Sequence, residues 1–400
     1  MLMRLALLTH EPFFPPSGGG SAEAVYLVEE FVRRGHEVDL FCPRIDDRRQ
    51  VEERFGVRLQ EFTAWPMGRY TSLRSLKYLA YPWFLERLVL RAAPRRDWDV
   101  LVSQHAISAV AAGRLKRRLN RPVVMNFLDF LTGFMDTWPR YRAPRMLLRK
   151  LQAFELSIPR RFEADAVLTV SDELARRFIN TGMESSRVFP IKYGYDAESF
   201  LNVERSAPRP SRPTIVMHGS FDHHHLGGIA QDALIRVHRE RPDVCFRFIG
   251  RLTPALNSFL ADVRRRAPDI EVDCTGFVAY REIAGVLSDA AVGVVPYEAS
   301  QGAHCAFVAK VVEYLAVGLP VATTSLKAVS DYFADEPMVR LASFDGESLA
   351  QSIVKWLEDP PGEEMRRAAR EHVRKELDWK VICKNAVDRV EEVRDCSRST

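Results

Sequence analysis

Cysteine is scarce and scattered: the six residues Cys42, Cys245, Cys274, Cys305, Cys383 and Cys396 include no C-x-x-C pair. A chain this long needs no disulfide staples, so the thiols read as reduced and the compartment as cytoplasmic. No window approaches the roughly 20 apolar residues of a bilayer-spanning helix. The N-terminal run Met1–Leu8 carries one Arg and no small-residue cleavage site before Glu11-Pro12, and reads as a strand, not a signal peptide. Tandem repeats and biased tracts are also absent. Neither G-x-G-x-x-G nor a P-loop occurs, which leaves a dinucleotide or ATP site without support.

What is present is the material of a soluble globular protein. With 400 residues, 46% hydrophobic and 28% charged, the chain is long enough for about two domains and too apolar for disorder. Its net charge of +4 hides an asymmetry: residues 1–200 hold 31 basic against 24 acidic side chains, residues 201–400 hold 26 against 29. Within 68–161 the imbalance sharpens to 19 against 6, with Tyr70, Tyr78, Tyr81, Trp83, Phe84, Trp138, Tyr141 and Leu147–Leu148 interleaved. Such a stretch is either a solvated Arg-rich helical face or an interfacial patch meeting anionic headgroups. No nucleic-acid signature accompanies it, so nucleic acid is not an expected partner.

Met3–Leu8, a Pro/Gly-rich turn, an amphipathic stretch from about Ser21 to Arg34 and Val38–Phe41 read as strand, loop, helix, strand, the βαβ unit of a parallel sheet. Further strands are expected at Val100–Val102, Val123–Phe127, Ala166–Val170 and Val188–Ile191. The run Ser206–Pro213 reads as an exposed linker. The pattern then restarts, with strands at Thr214–Met217, Phe246–Ile249, Glu271–Cys274, Val292–Val295 and Pro320–Thr323, and helices between them. The expectation is an α/β protein of two doubly wound Rossmann-like domains facing across a cleft, with ligands outside the carboxyl ends of the strands. The boundaries are 1–205, 206–375 and a C-terminal helix, 376–400, crossing back to the first domain.

Two segments carry candidate chemistry. In Ser17-Gly18-Gly19-Gly20-Ser21, Gly19 and Gly20 could bring backbone N–H groups to a phosphate, or Ser21 could simply cap the helix. In Phe307–Ala322, Lys310 and Glu313 are three apart and share a helix face, either as an ordinary ion pair or as a cation and an acceptor for a nucleoside diphosphate. His218 and the consecutive His223, His224 and His225 invite a metal reading, but three consecutive side chains rarely converge on one ion, so the expected metal is none and the histidines read instead as a loop lining the cleft. Cys305 reads as a small buried hydrophobe.

The order of features resembles the GT-B glycosyltransferases, in particular the retaining family-four enzymes (glycosyl transferases group 1). The matching residues are the strand into Pro15-Pro16-Ser17-Gly18-Gly19-Gly20, Arg34-Gly35-His36-Glu37-Val38, Val167–Ser171, Tyr193-Gly194-Tyr195-Asp196 with Phe200, Gly276-Phe277 and the K-x-x-E-Y-L-A-x-G-x-P-V segment from Lys310. The resemblance implies a nucleotide-sugar donor in the C-terminal domain, a glycan or lipid-linked acceptor in the N-terminal one, retention of configuration, and neither metal nor other cofactor. Glu313 would hold the ribose and Lys310 the diphosphate. Where the family has an Arg and a Lys, this chain has Gly219-Ser220-Phe221-Asp222-His223, so donor contacts are expected from Ser220, His223 and Arg251. Where a His is common, the chain has Leu128, and catalytic duties fall to Asp129, His105 and Lys310. A nucleotide-sugar 2-epimerase of the same architecture, or an impaired nucleotide-sugar-binding protein, is the alternative.

Overall fold

The computed structural model describes residues 2–15, 19–63, 77–138, 141, 143–201, 212–222 and 225–398. The chain forms two compact units, one of residues 1–193 with 379–400, the other of residues 194–378. The crossing into the second unit thus comes at Gly194, upstream of the Pro/Arg-rich run, most of which lies outside the described residues.

In the first unit, strands β1 (Arg4–Leu8), β2 (Glu37–Pro43), β3 (Arg58–Phe62), β4 (Val100–Gln104), β5 (Val123–Phe127), β6 (Ala166–Thr169) and β7 (Val188–Pro190) form one sheet. Its order is β3-β2-β1-β4-β5-β6-β7. Every pairing is parallel, with Leu5 opposite both Val38 and Val100. Parallel sheets are covered on both faces, which is why β1, β4 and β5 read as unbroken apolar runs and are buried almost end to end. The strand order reverses between β1 and β4, the place where an open α/β sheet leaves a crevice. The first helix, Gly19–Arg33, begins two residues before the expected Ser21, so Ser21 lies within it rather than capping it.

The last helix, Trp379–Arg398, belongs to this unit. Trp379 stacks on Tyr26 at 5.5 Å and meets the ring of Tyr193 edge-on at 4.7 Å. Arg34 Nη1 donates to Glu391 Oε2 at 2.6 Å, and His36 Nε2 stands 2.9 Å from Glu391 Oε1. Between them Gly35 takes φ +84°, a left-handed turn that ends the first helix. The Arg34-Gly35-His36 motif is therefore a clasp for the chain terminus.

In the second unit β8 (Thr214–His218), β9 (Cys245–Ile249), β10 (Glu271–Gly276), β11 (Val292–Val295), β12 (Val321–Thr324) and β13 (Val339–Ala342) form a parallel sheet ordered β10-β9-β8-β11-β12-β13. Helix Gly228–Glu240 buries Ala230, Ala233, Leu234 and Val237 against Phe246, Phe248 and Ile353 in one core. Each of the larger side chains here, Leu, Val, Phe or Ile, contributes about 1.5–3 kcal/mol when fully buried. Here the order reverses between β8 and β11.

Candidate active site

At the β8/β11 reversal, both strands deliver polar residues from their carboxyl ends. His218 is the last residue of β8, and Tyr297 follows β11 by two. Helix Ala309–Ala316 lays Val311, Val312, Tyr314 and Leu315 into the core and turns Lys310 and Glu313 toward the strand ends. His218, Ser220, His225, Tyr297 and Lys310 line one recess, together with the apolar Met217 and Phe221.

Lys310 and Glu313 form no ion pair with each other. The Lys310 ammonium donates to the Tyr297 hydroxyl at 2.9 Å, and Glu313 Oε2 stands 2.5 Å from His218 Nε2. Burial works to lower the lysine pKa, but Tyr297, Glu313 and Asp222 outweigh it and hold it above its ordinary value. The ammonium is thus charged throughout the neutral range, in a site screened from water. Gly219, at φ +112°, and Gly250 let two loops meet under it: a Cβ on residue 250 would fall 2.1 Å from the Gly219 carbonyl oxygen.

Of the donor-binding candidates, Ser220, Lys310 and Glu313 come together here. Arg251 follows β9 but lies exposed, its guanidinium 5.1 Å from the Phe277 ring centroid. His223 lies outside the described residues, whereas His225, two residues on, is in the recess wall. Gly19 and Gly20 open the first helix of the other unit. Glu298 accepts from the Ile229 N–H at 3.0 Å and so occupies the start of helix Gly228–Glu240 itself. Cys305 is buried. Among the described residues, no group of three or more His, Cys, Asp or Glu side chains could hold a metal ion.

In the first unit, His105 follows β4 directly and takes φ +62°, a left-handed conformation uncommon outside glycine. Its ring meets that of His10, just past β1, edge-on at 5.3 Å. Asp129 is half-buried, two residues past β5. His10, His105 and Asp129 therefore mark the ends of three adjacent strands. Beneath them a buried carboxyl, Glu23, accepts from Gln104 Nε2 at 3.1 Å and Asn126 Nδ2 at 3.0 Å. Burial raises its pKa to about 7, against the lowering pull of those two amides. Sequence reasoning missed His10 and Glu23, and grouped His218 with His223 to His225 as a loop lining the donor cleft without placing it against Glu313. A search for polar residues within two positions of each strand's carboxyl end finds both histidines; Glu23, one helical residue among several acids, gives no such signal.

Two family models match the chain, a glycosyl transferase 4-like domain over residues 18–194 and glycosyl transferases group 1 over residues 212–359. The fold is that of sucrose-phosphate synthase from Thermosynechococcus elongatus, with a TM-score of 0.78 at 16% identity over 98% of this chain and 100% of that one. HepE from Anabaena, solved in complex with UDP-glucose, gives 0.68 at 15% identity over 98% and 100%. A putative UDP-N-acetylglucosamine 2-epimerase from Listeria monocytogenes gives 0.57 at 12% over 98% and 96%. No curated protein matches the sequence. The chain belongs to the GT-B glycosyltransferases, a class of nucleotide-sugar-dependent enzymes.

Proposed function

We propose that the second unit binds the nucleotide-sugar donor at the β8/β11 reversal, diphosphate toward Lys310 and ribose toward Glu313, and that the sugar passes to a glycan or lipid-linked acceptor held by the first unit. The observation that carries this reading is the half-buried ammonium of Lys310 sharing a recess wall with Ser220 and Tyr297. Breaking the sugar–phosphate bond puts negative charge on the departing diphosphate and positive charge on the ring. A fixed cation in a water-poor site stabilises the first without reorganising.

Lys310 thus takes the leaving-group role that the reaction needs, and the reaction runs with retention and without a metal. His105 and Asp129 serve the acceptor side; the strained backbone of His105 is the kind that persists where surrounding structure enforces it. The basic α-helical face of the first unit offers a cationic surface to the anionic headgroups around a lipid-linked acceptor. A thermal-shift panel of UDP, GDP, ADP, CMP and TDP tests the donor site: one nucleotide should stabilise the fold by mass action, and Glu313→Ala should abolish that shift. Nucleotide binding and turnover both surviving Glu313→Ala would sink the assignment. Incubating the donor alone separates transfer from epimerisation, which needs no acceptor.

A further inference from the structure

His218 is fixed between β8 and helix Ala309–Ala316. The Tyr314 ring meets it edge-on at 4.9 Å, and Tyr314 is itself tied down by its hydroxyl donating to the Val216 carbonyl at 3.3 Å. There is no slack behind Tyr314, since a Cβ on residue 293 would fall 2.5 Å from its ring. The imidazole and the carboxylate it faces are nearly closed off from solvent, with side chains 4% and 10% exposed.

A carboxylate only accepts, so Nε2 carries the proton and donates to Glu313 Oε2; in the neutral ring Nδ1 is then an acceptor. Nδ1 is buried and has no hydrogen-bond partner. An apolar residue of similar shape would fill the same space without that cost, so packing alone does not account for a histidine here. What the histidine supplies, and an apolar residue could not, is the hold on one oxygen of Glu313.

We infer that His218 is a positioning residue for donor recognition: by binding Oε2 it fixes the Glu313 carboxylate in one orientation and leaves Oε1 to accept from the ribose 2′-hydroxyl of the donor. The inference rests on the donor site proposed above. Its consequence is selective, because a held carboxylate discriminates a ribonucleotide from its 2′-deoxy analogue, while the phosphate contacts at Lys310 are indifferent to that change.

The test is calorimetric titration of the full chain with UDP and 2′-deoxy-UDP, and with the ADP and GDP pairs. Wild type should prefer one ribonucleotide over its deoxy partner about tenfold or more, the size of a hydrogen bond to a charged group. His218→Ala should reduce that preference to about twofold or less and leave the deoxynucleotide affinity within about twofold of wild type. His218→Gln, whose amide nitrogen can stand near the Nε2 position, should restore most of the preference; His218→Asn, whose amide stands near Nδ1, should not. A wild-type preference retained in His218→Ala overturns the inference, as does equal weakening of both nucleotides in all three variants. If His218→Ala does not fold, the Gln and Asn pair decides by the same criterion. A preference that survives Glu313→Ala, or a wild type that binds none of the three diphosphates, instead removes the donor-site reading and this inference with it.

Discussion

Gly219 and Lys310 are packed so closely that a Cβ on residue 219 would lie 2.7 Å from the lysine Cε. Gly219 also sits at φ +112°, where an L side chain is strained. Gly219→Ala should therefore cost about 1–3 kcal/mol of stability and displace the ammonium, weakening nucleoside diphosphate binding. Urea unfolding and calorimetry report the two effects separately. Wild-type stability together with wild-type binding would mean that the turn beneath Lys310 is not tight.

Lys310→Met removes the cation and the hydrogen bond it donates to the Tyr297 hydroxyl. Release of nucleoside diphosphate from the donor should slow about 10²- to 10³-fold, the usual effect of deleting one preorganised charge-stabilising group. Binding of the bare nucleoside should not change. Tyr297→Phe, which keeps the ammonium, should have a far smaller effect. Equal losses in nucleoside and nucleoside diphosphate binding for Lys310→Met would show that the lysine acts through packing and not through charge.

The sheet centres were legible, as were two of the four edge strands, β7 and β10; the other two edges were not. β1, β4, β5 and β11 are buried on both faces and appear in the sequence as apolar runs; β3 and β13 lie at sheet edges, are interrupted by Arg58, Gln60 and Glu61 and by Arg340, and went unread. Spacing put Lys310 and Glu313 on one helix face but read equally as an ion pair, and only the family resemblance singled them out; the partners each has in the fold were not legible. His218 is 95 residues from Glu313 in the chain, and Tyr297 is separated from Lys310 by a five-residue helix, Gln301–Cys305. Only the crossover between β8 and β11 brings these together. The basic stretch was partly misread, since Tyr81 is a core residue meeting Phe62 edge-on at 5.0 Å, not an interfacial one; Tyr70 lies outside the described residues.

Glu23 should make the stability of the first unit depend on pH. Burial raises its pKa from 4.5 to about 7, so the folded state holds a proton that the unfolded state has already lost between those values. Its favourable contribution is complete below about pH 4.5 and declines as pH rises toward 7, by on the order of a few kcal/mol. Glu23→Gln, which cannot ionise, should flatten that decline and be relatively more stable at pH 8 than at pH 5. Denaturant unfolding of both proteins across pH 5 to 8 checks this, and parallel pH profiles would refute it.

The helices Lys77–Ala92 and His105–Leu119 present a groove lined by Trp83, Glu86, Arg114, Arg117 and Arg118. Glu86 pairs with Arg118 at 3.0 Å and Arg114 at 3.7 Å, which leaves a net positive lining. Leu79, Trp83 and Met146 stand exposed at 75%, 46% and 77% within the same basic stretch, and Arg87 lies 4.7 Å from the Trp83 ring centroid. No described helix is long and apolar enough to cross a membrane. Each basic residue near an anionic leaflet is worth about 1 kcal/mol. Replacing Arg114, Arg117 and Arg118 together by Ala should then weaken flotation with phosphatidylglycerol vesicles about a hundredfold, and 0.5 M salt should mimic it in the wild type by screening. Trp83→Ala should weaken binding less and without changing its salt dependence. A wild-type protein that stays with the soluble fraction at 0.1 M salt would mean that this face is a solvated helical surface and that the acceptor arrives by another route.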